Sequence, residues 1–439
     1  MSGKAIGPAG GRLEVRRGVT ARFDDVLTPE VLAALEALAP LDEARRALMD
    51  ARIARRAARA KEGRRIDFLD PSTPIPRAGI TAREARLGEF EGPAVPADLE
   101  RQWIQGTGPA TRPRAPIEKS LRNVAYALLS GADGWMFDGE DALGQTTTMS
   151  LENQRNIRLG LARDPLFLRV AEDVAADMNR WARGFFGRPI VADWRAQLDF
   201  TTPMFRPRGL HLDDRHVRAR GGAGFSASIV DAALYVVLNR EALAREGRSI
   251  VLYLPKIQTA GEAALWDEVL AALEGHLGVA ASSIKTYVLV EQLEASFQLM
   301  EIRAALGRRF VGYNTGRWDY INSVADAMAW EKGFLDPNID AITMTWGYMR
   351  HYEDRVRRAV NTPDRHGRCA LWQGGMEPNI PVGSARGVEA GMKRAVAGGE
   401  REQRAGASGK WIAHWKMVHI VRPVWEKVGA KNQCGRAFP

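Results

Sequence analysis

The sequence predicts an α/β fold, a (β/α)8 barrel with an N-terminal helical extension and a helical insertion. Three observations predict it. Val288-Leu289-Val290 is an apolar run ending at Glu291, and Phe310-Val311-Gly312-Tyr313 is a second, leading through Asn314-Thr315-Gly316 to Asp319. Between them Leu293, Phe297, Met300 and Ala304 recur with helical spacing. Strand, helix and strand within about 30 residues form a βαβ unit, which implies parallel strands. Strand-like and helical patterns then alternate from Ile117 onward, in a chain of 439 residues and 45% hydrophobic content. That length accommodates one elaborated barrel.

Residues 1–20 are Gly-rich and expected to be disordered. Thr28-Pro29 opens a helix, with Thr as the cap and Pro at the first helical position, and helical pattern runs to about Lys61. Residues 21–115 are expected to form a mainly helical covering region, with a Pro-punctuated connection at Asp67–Gly79. The barrel is expected over residues 116–429. Its candidate strands are Gly134–Phe137, Met204–Arg206, Ile250–Leu254, Thr286–Val290, Phe310–Tyr313, Ala341–Met344, Arg368–Leu371 and Trp411–Ala413. The stretch from Leu151 to Trp194 is helical and longer than a crossover needs, so it reads as the insertion. Residues 430–439 read as a tail.

The formal net charge is +9, part of it in the run Arg45–Arg65. Such a run is either a nucleic-acid stripe or a solvated Arg-rich helix face whose alanines pack inward. It has no aromatic residue for base stacking, and the rest of the chain mixes both charge signs. The expectation is therefore no nucleic-acid partner. Cys369 and Cys434 make no disulfide framework or metal pattern, which fits a reducing cytoplasm. There is no apolar secretory region at the N-terminus, no apolar run of membrane-spanning length, and Ala-Phe-Pro is not a peroxisomal address. A cytoplasmic protein without a membrane partner is expected.

Acids at the C-terminal ends of adjacent parallel strands converge on one rim, where (β/α)8 barrels hold their active sites. Glu291 and Asp319 would repel there, and a hard divalent cation relieves that repulsion. Oxygen-only ligands favour Mg²⁺. The alternative is that both are helix caps or surface acids. Glu140 and Asp141 end another apolar strand facing the same rim. Arg206 offers directed donors to a developing anion, or forms a structural ion pair with Asp213 or Asp214. Met376 and Trp318 read as pocket or core, and His211 and His216 as packing or surface residues.

The motif Gly316–Ile321 (GRWDYI), after a strand ending in glutamate, resembles the malate synthases, particularly the shorter A-type. The resemblance runs from about Leu27 to Val418. It includes GTGP (Gly106–Pro109), WMFDGEDA (Trp135–Ala142), FRPRGLHLDDRHV (Phe205–Val217), YLPK (Tyr253–Lys256), KTYVLVEQ (Lys285–Gln292), TMT (Thr343–Thr345), GGMEPNIP (Gly374–Pro381) and GKWIAH (Gly409–His414), all in family order. It implies a TIM barrel that condenses acetyl-CoA with glyoxylate using Mg²⁺. By position, Glu291 and Asp319 become the metal ligands and Arg206 the catalytic arginine. Gly316, Arg317, Trp318 and Asp319 become the glyoxylate cradle.

Glu140 and Asp141 would then hold metal-bound waters or orient Arg206. Lys256 would meet a CoA phosphate or a neighbouring acid, and Met376 would line the pocket. Two departures accompany the match. HWKM (His414–Met417) stands where the family has HPGL, and the family's later helical segment, with its catalytic aspartate, has no counterpart before Pro439. The expectation is that the 439 residues alone lack turnover until that segment is supplied, by a continuation or a separate chain. The alternatives are a Mg²⁺-dependent β-hydroxyacyl-CoA lyase of malyl-CoA type and a non-catalytic 2-oxoacid-binding barrel.

Overall fold

A computed structural model describes residues 11–108, 115–141, 148–222 and 224–437. Eight parallel strands close into a barrel in chain order: β1 (Ile104–Thr107), β2 (Gly134–Asp138), β3 (Thr202–Arg206), β4 (Val251–Leu254), β5 (Lys285–Val290), β6 (Phe310–Thr315), β7 (Leu371–Glu377) and β8 (Gly409–Ile412). Helices wrap the outside. Between β2 and β3 the helices Met149–Leu161 and Pro165–Phe186 form the expected insertion. Among the described residues, no helix is long and apolar enough to cross a membrane.

Two cores hold the barrel. The inner one stacks side chains across the strands: Tyr253 lies flat on Tyr287, ring centroids 4.7 Å apart, with Trp411 4.9 Å from Tyr253. Gln105 of β1, a polar neighbour of this stack, accepts from Trp411 Nε1 at 2.9 Å and from the Tyr253 hydroxyl. The outer core fills the layer between strands and helices.

Several expectations are corrected. Residues 1–10, the start of the expected disordered segment, lie outside the described residues. Leu13–Val15, however, is a strand paired antiparallel with Asp213–Ala219. It is ordered because Leu13 and Val15 are buried and the Glu36 carboxylate accepts from the amides of Arg12 and Leu13, at 2.8 and 3.0 Å. β1 lies inside the segment expected to cover the barrel. The candidate strand Ala341–Met344 is not one: a 3-10 turn occupies Ile339–Ala341, and Ile339 is exposed. The helix expected between β5 and β6 is split into a 3-10 turn, Leu293–Phe297, and a helix, Leu299–Leu306. The break is at Gln298, whose side chain accepts from the Ala260 amide at 3.1 Å.

The Arg-rich run forms the helix Leu41–Glu62, and its faces are the reverse of those expected. Ala44, Ala47, Ala51, Ala54, Ala57 and Ala60 are exposed, whereas several arginines point into the protein. Arg45 is buried on Asp42 and Asp213 and Arg59 reaches Glu294, while Arg56 pairs with Asp326 at the surface. The helix overhead is thus joined to the barrel by ion pairs. The reason is the buried acids Glu262 and Glu294 beneath it, which need counter-charges more than alanine methyls need cover.

Candidate active site

The C-terminal ends of the strands enclose a cavity of about 310 Å³. Asp138, Asp141, Arg206, Glu291, Gly316, Arg317, Trp318, Asp319 and Met376 all line it. Glu140 and Lys256 stand directly behind this lining and are joined to it by ion pairs. His211 and His216 are not part of the lining.

Glu291 follows the last residue of β5 and is almost fully buried, so it is neither a surface acid nor a helix cap. Its neighbour across the strands is Gly316, where a Cβ would come 2.7 Å from the Glu291 Cβ. Only glycine lets the end of β6 pass so close. Asp319 lies in the first turn of the helix Arg317–Ala327 and keeps 40% of its side chain exposed. The helix's amides at Arg317, Trp318 and Asp319 precede its first internal bond, from the Tyr320 amide to the Gly316 carbonyl at 3.1 Å. Such an N-terminus favours an anion.

Arg206 ends β3, in register with Asp138 at the end of β2. Its guanidinium makes a two-pronged pair there, Nε to Oδ1 at 2.8 Å and Nη2 to Oδ2 at 2.6 Å. Asp141 is 3.1 Å away and Glu140 3.6 Å. The alternative partners do not reach it: Asp213 pairs with Arg45, and Asp214 pairs with Arg208. Asp138 as the main partner was not anticipated from the sequence.

Lys256, just after β4, reaches four carboxylates. Its Nζ is 2.9 Å from Asp319, 3.1 Å from Glu291 and 3.8 Å from both Glu140 and Asp141. Of the two readings for Lys256, neighbouring acids are what the geometry shows.

The electrostatics follow from burial. Desolvation pushes the Glu291 carboxyl up to about 7, even against the pull of Lys256 and Arg206. It pushes Glu140 up to about 9, helped by a hydrogen bond to Asp141. Burial alone would lower Arg206, but Asp138 and the other acids raise it, so it stays charged. Asp138, Asp141, Glu291 and Asp319 gather at the cavity with Arg206, Lys256 and Arg317. Glu291 and Asp319, held 3.1 and 2.9 Å from one ammonium, form a carboxylate pair that a divalent cation would neutralise. The open side of Asp319 and the all-oxygen set fit Mg²⁺. Among the described residues no cluster of three or more His, Cys, Asp or Glu ligands exists, so waters and substrate would complete the coordination.

A family model described as malate synthase, TIM barrel domain, matches residues 202–437. The chain belongs to the malate synthase family. It is 32% identical to the malate synthase of Myxococcus xanthus, over 92% of this chain and 67% of that one. It is 30% identical to malate synthase A of Escherichia coli, over 77% of this chain and 58% of that one. With the bifunctional glyoxylate cycle protein of Caenorhabditis elegans it shares 32% identity, over 79% of this chain and 33% of that one. The chain thus spans one third to two thirds of the length of these relatives. All are single longer chains, which gives no support to a separate chain supplying the remainder. Within the malate synthase motifs, Pro109 and Ala142 lie outside the described residues.

Proposed function

We propose that this chain carries the catalytic barrel of a malate synthase, condensing acetyl-CoA with glyoxylate to malate and CoA with Mg²⁺. The observation that carries the reading is the convergence of Glu291, Asp319 and Arg206 on one cavity at the C-terminal ends of the strands. Glu291 and Asp319 would hold the cation, which when bound polarises an aldehyde oxygen as a Lewis acid. The amides at Arg317–Asp319 suit the carboxylate of a small 2-oxoacid. Trp318 and Met376, each more than a third exposed, present apolar surface at the mouth. Arg206, fixed by Asp138, directs its remaining N–H groups toward a developing enolate oxygen.

Removing the acetyl proton requires a base. Asp141 is the half-exposed carboxylate beside Arg206, and it is the first to substitute if residues 1–439 turn over alone. The basic net charge would concentrate both anionic substrates.

Titration calorimetry tests the reading. Glyoxylate should bind only with Mg²⁺, and Glu291→Ala or Asp319→Ala should each abolish that binding. Unchanged binding in both variants would remove these residues from the site. Glyoxylate release from malyl-CoA without net synthesis would instead make the protein a lyase.

A further inference from the structure

Beyond β4 the chain turns through Pro255 into Lys256, whose φ of 57° lies in the left-handed region rarely entered by residues other than glycine. The backbone is clamped on both sides. Its amide donates to Glu291 Oε1 at 2.7 Å, and its carbonyl accepts from Arg52 Nη1 at 2.9 Å. The ammonium is held differently, by carboxylates alone at the end of a four-carbon stem, with a hydrogen bond to Glu291 Oε2 at 3.1 Å. Its two shortest contacts, 2.9 and 3.1 Å, go to Asp319 and Glu291, the pair read above as cation ligands.

We propose that Lys256 is a displaceable counter-cation. Its ammonium occupies the gap between Glu291 and Asp319 while no metal is bound, and yields that gap when a divalent cation enters, moving to Glu140 and Asp141. The inference rests on the reading of Glu291 and Asp319 as ligands. Two carboxylates this close repel unless a positive charge stands between them, so the lysine keeps the empty site assembled. Carboxylate oxygens bind Mg²⁺ at about 2.0–2.1 Å, and an ammonium within about 3 Å of the same oxygens would face it at a strongly repulsive separation. The lysine stem is flexible and its three donors rotate. The second acid pair is already 3.8 Å away, so the transfer needs no backbone movement. Arg206 cannot serve in its place, because both prongs of its guanidinium are engaged by Asp138.

The experiment is Mn²⁺ binding followed by electron paramagnetic resonance, with thermal melting of metal-free and metal-loaded protein, for wild type, Lys256→Met and Lys256→Arg. Lys256→Met should bind Mn²⁺ at least tenfold more tightly. Its metal-free form should melt several degrees lower than wild type, and its loaded form near wild type. Lys256→Arg, which keeps the competing charge, should bind no more tightly than wild type. Equal or weaker Mn²⁺ binding by Lys256→Met, with wild type binding normally, overturns the lysine's role and leaves the ligand assignment standing. No Mn²⁺ binding by any of the three overturns both. If Lys256→Met fails to fold, crystal structures of wild type with and without Mn²⁺ decide. An ammonium still within 3.5 Å of both Glu291 and Asp319 (about the hydrogen-bond limit) beside bound metal refutes the proposal.

Discussion

Arg206 and Asp138 meet because β2 and β3 place them opposite one another at their last residues. The fork makes two parallel bonds to one carboxylate, which a lysine cannot reproduce. Arg206→Lys should therefore keep the melting temperature within a few degrees of wild type. Turnover, in whatever form of the protein is active, should fall on the order of 10²-fold or more. Thiol release from acetyl-CoA with glyoxylate and Mg²⁺ measures it, and turnover near wild type would make Arg206 structural. The convergence of Glu291, Asp319 and Arg206 on one rim was legible in the sequence, because Glu291 and Arg206 close strand-like runs and Asp319 follows another. Their partners were less so. Asp213 and Asp214 stand near Arg206 in the chain, whereas Asp138 is 68 positions away and becomes its neighbour only through strand register.

Among the elements, β5 and β6 were readable because each contains an uninterrupted apolar run, Val288–Val290 and Phe310–Tyr313. β1 was not: Ile-Gln-Gly-Thr holds one aliphatic residue, a buried amide and a glycine. Its glycine has a specific cause, since a Cβ on Gly106 would stand 2.0–2.4 Å from the Trp135 ring. Gly106→Ala should cost about 1–3 kcal/mol, as overpacking of a dense core does, and urea unfolding would show it. A stability equal to wild type would mean that Trp135 has room to shift. The opposite error, Ala341–Met344, arose because alternating Ile and Thr reads as a strand in isolation, with nothing in the local pattern to show that the barrel already had its eight.

For the whole molecule, acid sensitivity has an identifiable contribution near the β8 end. Burial holds His414 and His419 down to about 4, and neutral His414 Nδ1 accepts from the Lys416 amide at 3.2 Å. Both are depressed below the unfolded value of 6.5, so the stability they contribute is present above pH 6.5 and lost as pH falls toward 4. Melting curves between those limits should show the decline, and His414→Asn with His419→Asn should flatten it. An undiminished slope in the double variant would assign the acid limb to other groups.

The helix Leu41–Glu62 also makes the rim responsive to the medium. It rests on charge pairs more than on oil-like contact, and Arg52 is the clamp on the Lys256 carbonyl. Coulomb attraction shortens its reach from about 10 Å at 0.1 M salt to about 3 Å at 1 M, and exposed pairs weaken first. Arg56 and Asp326 are exposed, Arg45 and Asp42 are not. Amide hydrogen exchange in concentrated salt should therefore quicken from the C-terminal half of this helix while the barrel strands remain protected. Uniform exchange along the helix would show that it is held by something other than charge. A brine-dependent hinge above the cavity would make ionic strength, as well as metal, a determinant of how firmly the lysine turn is seated.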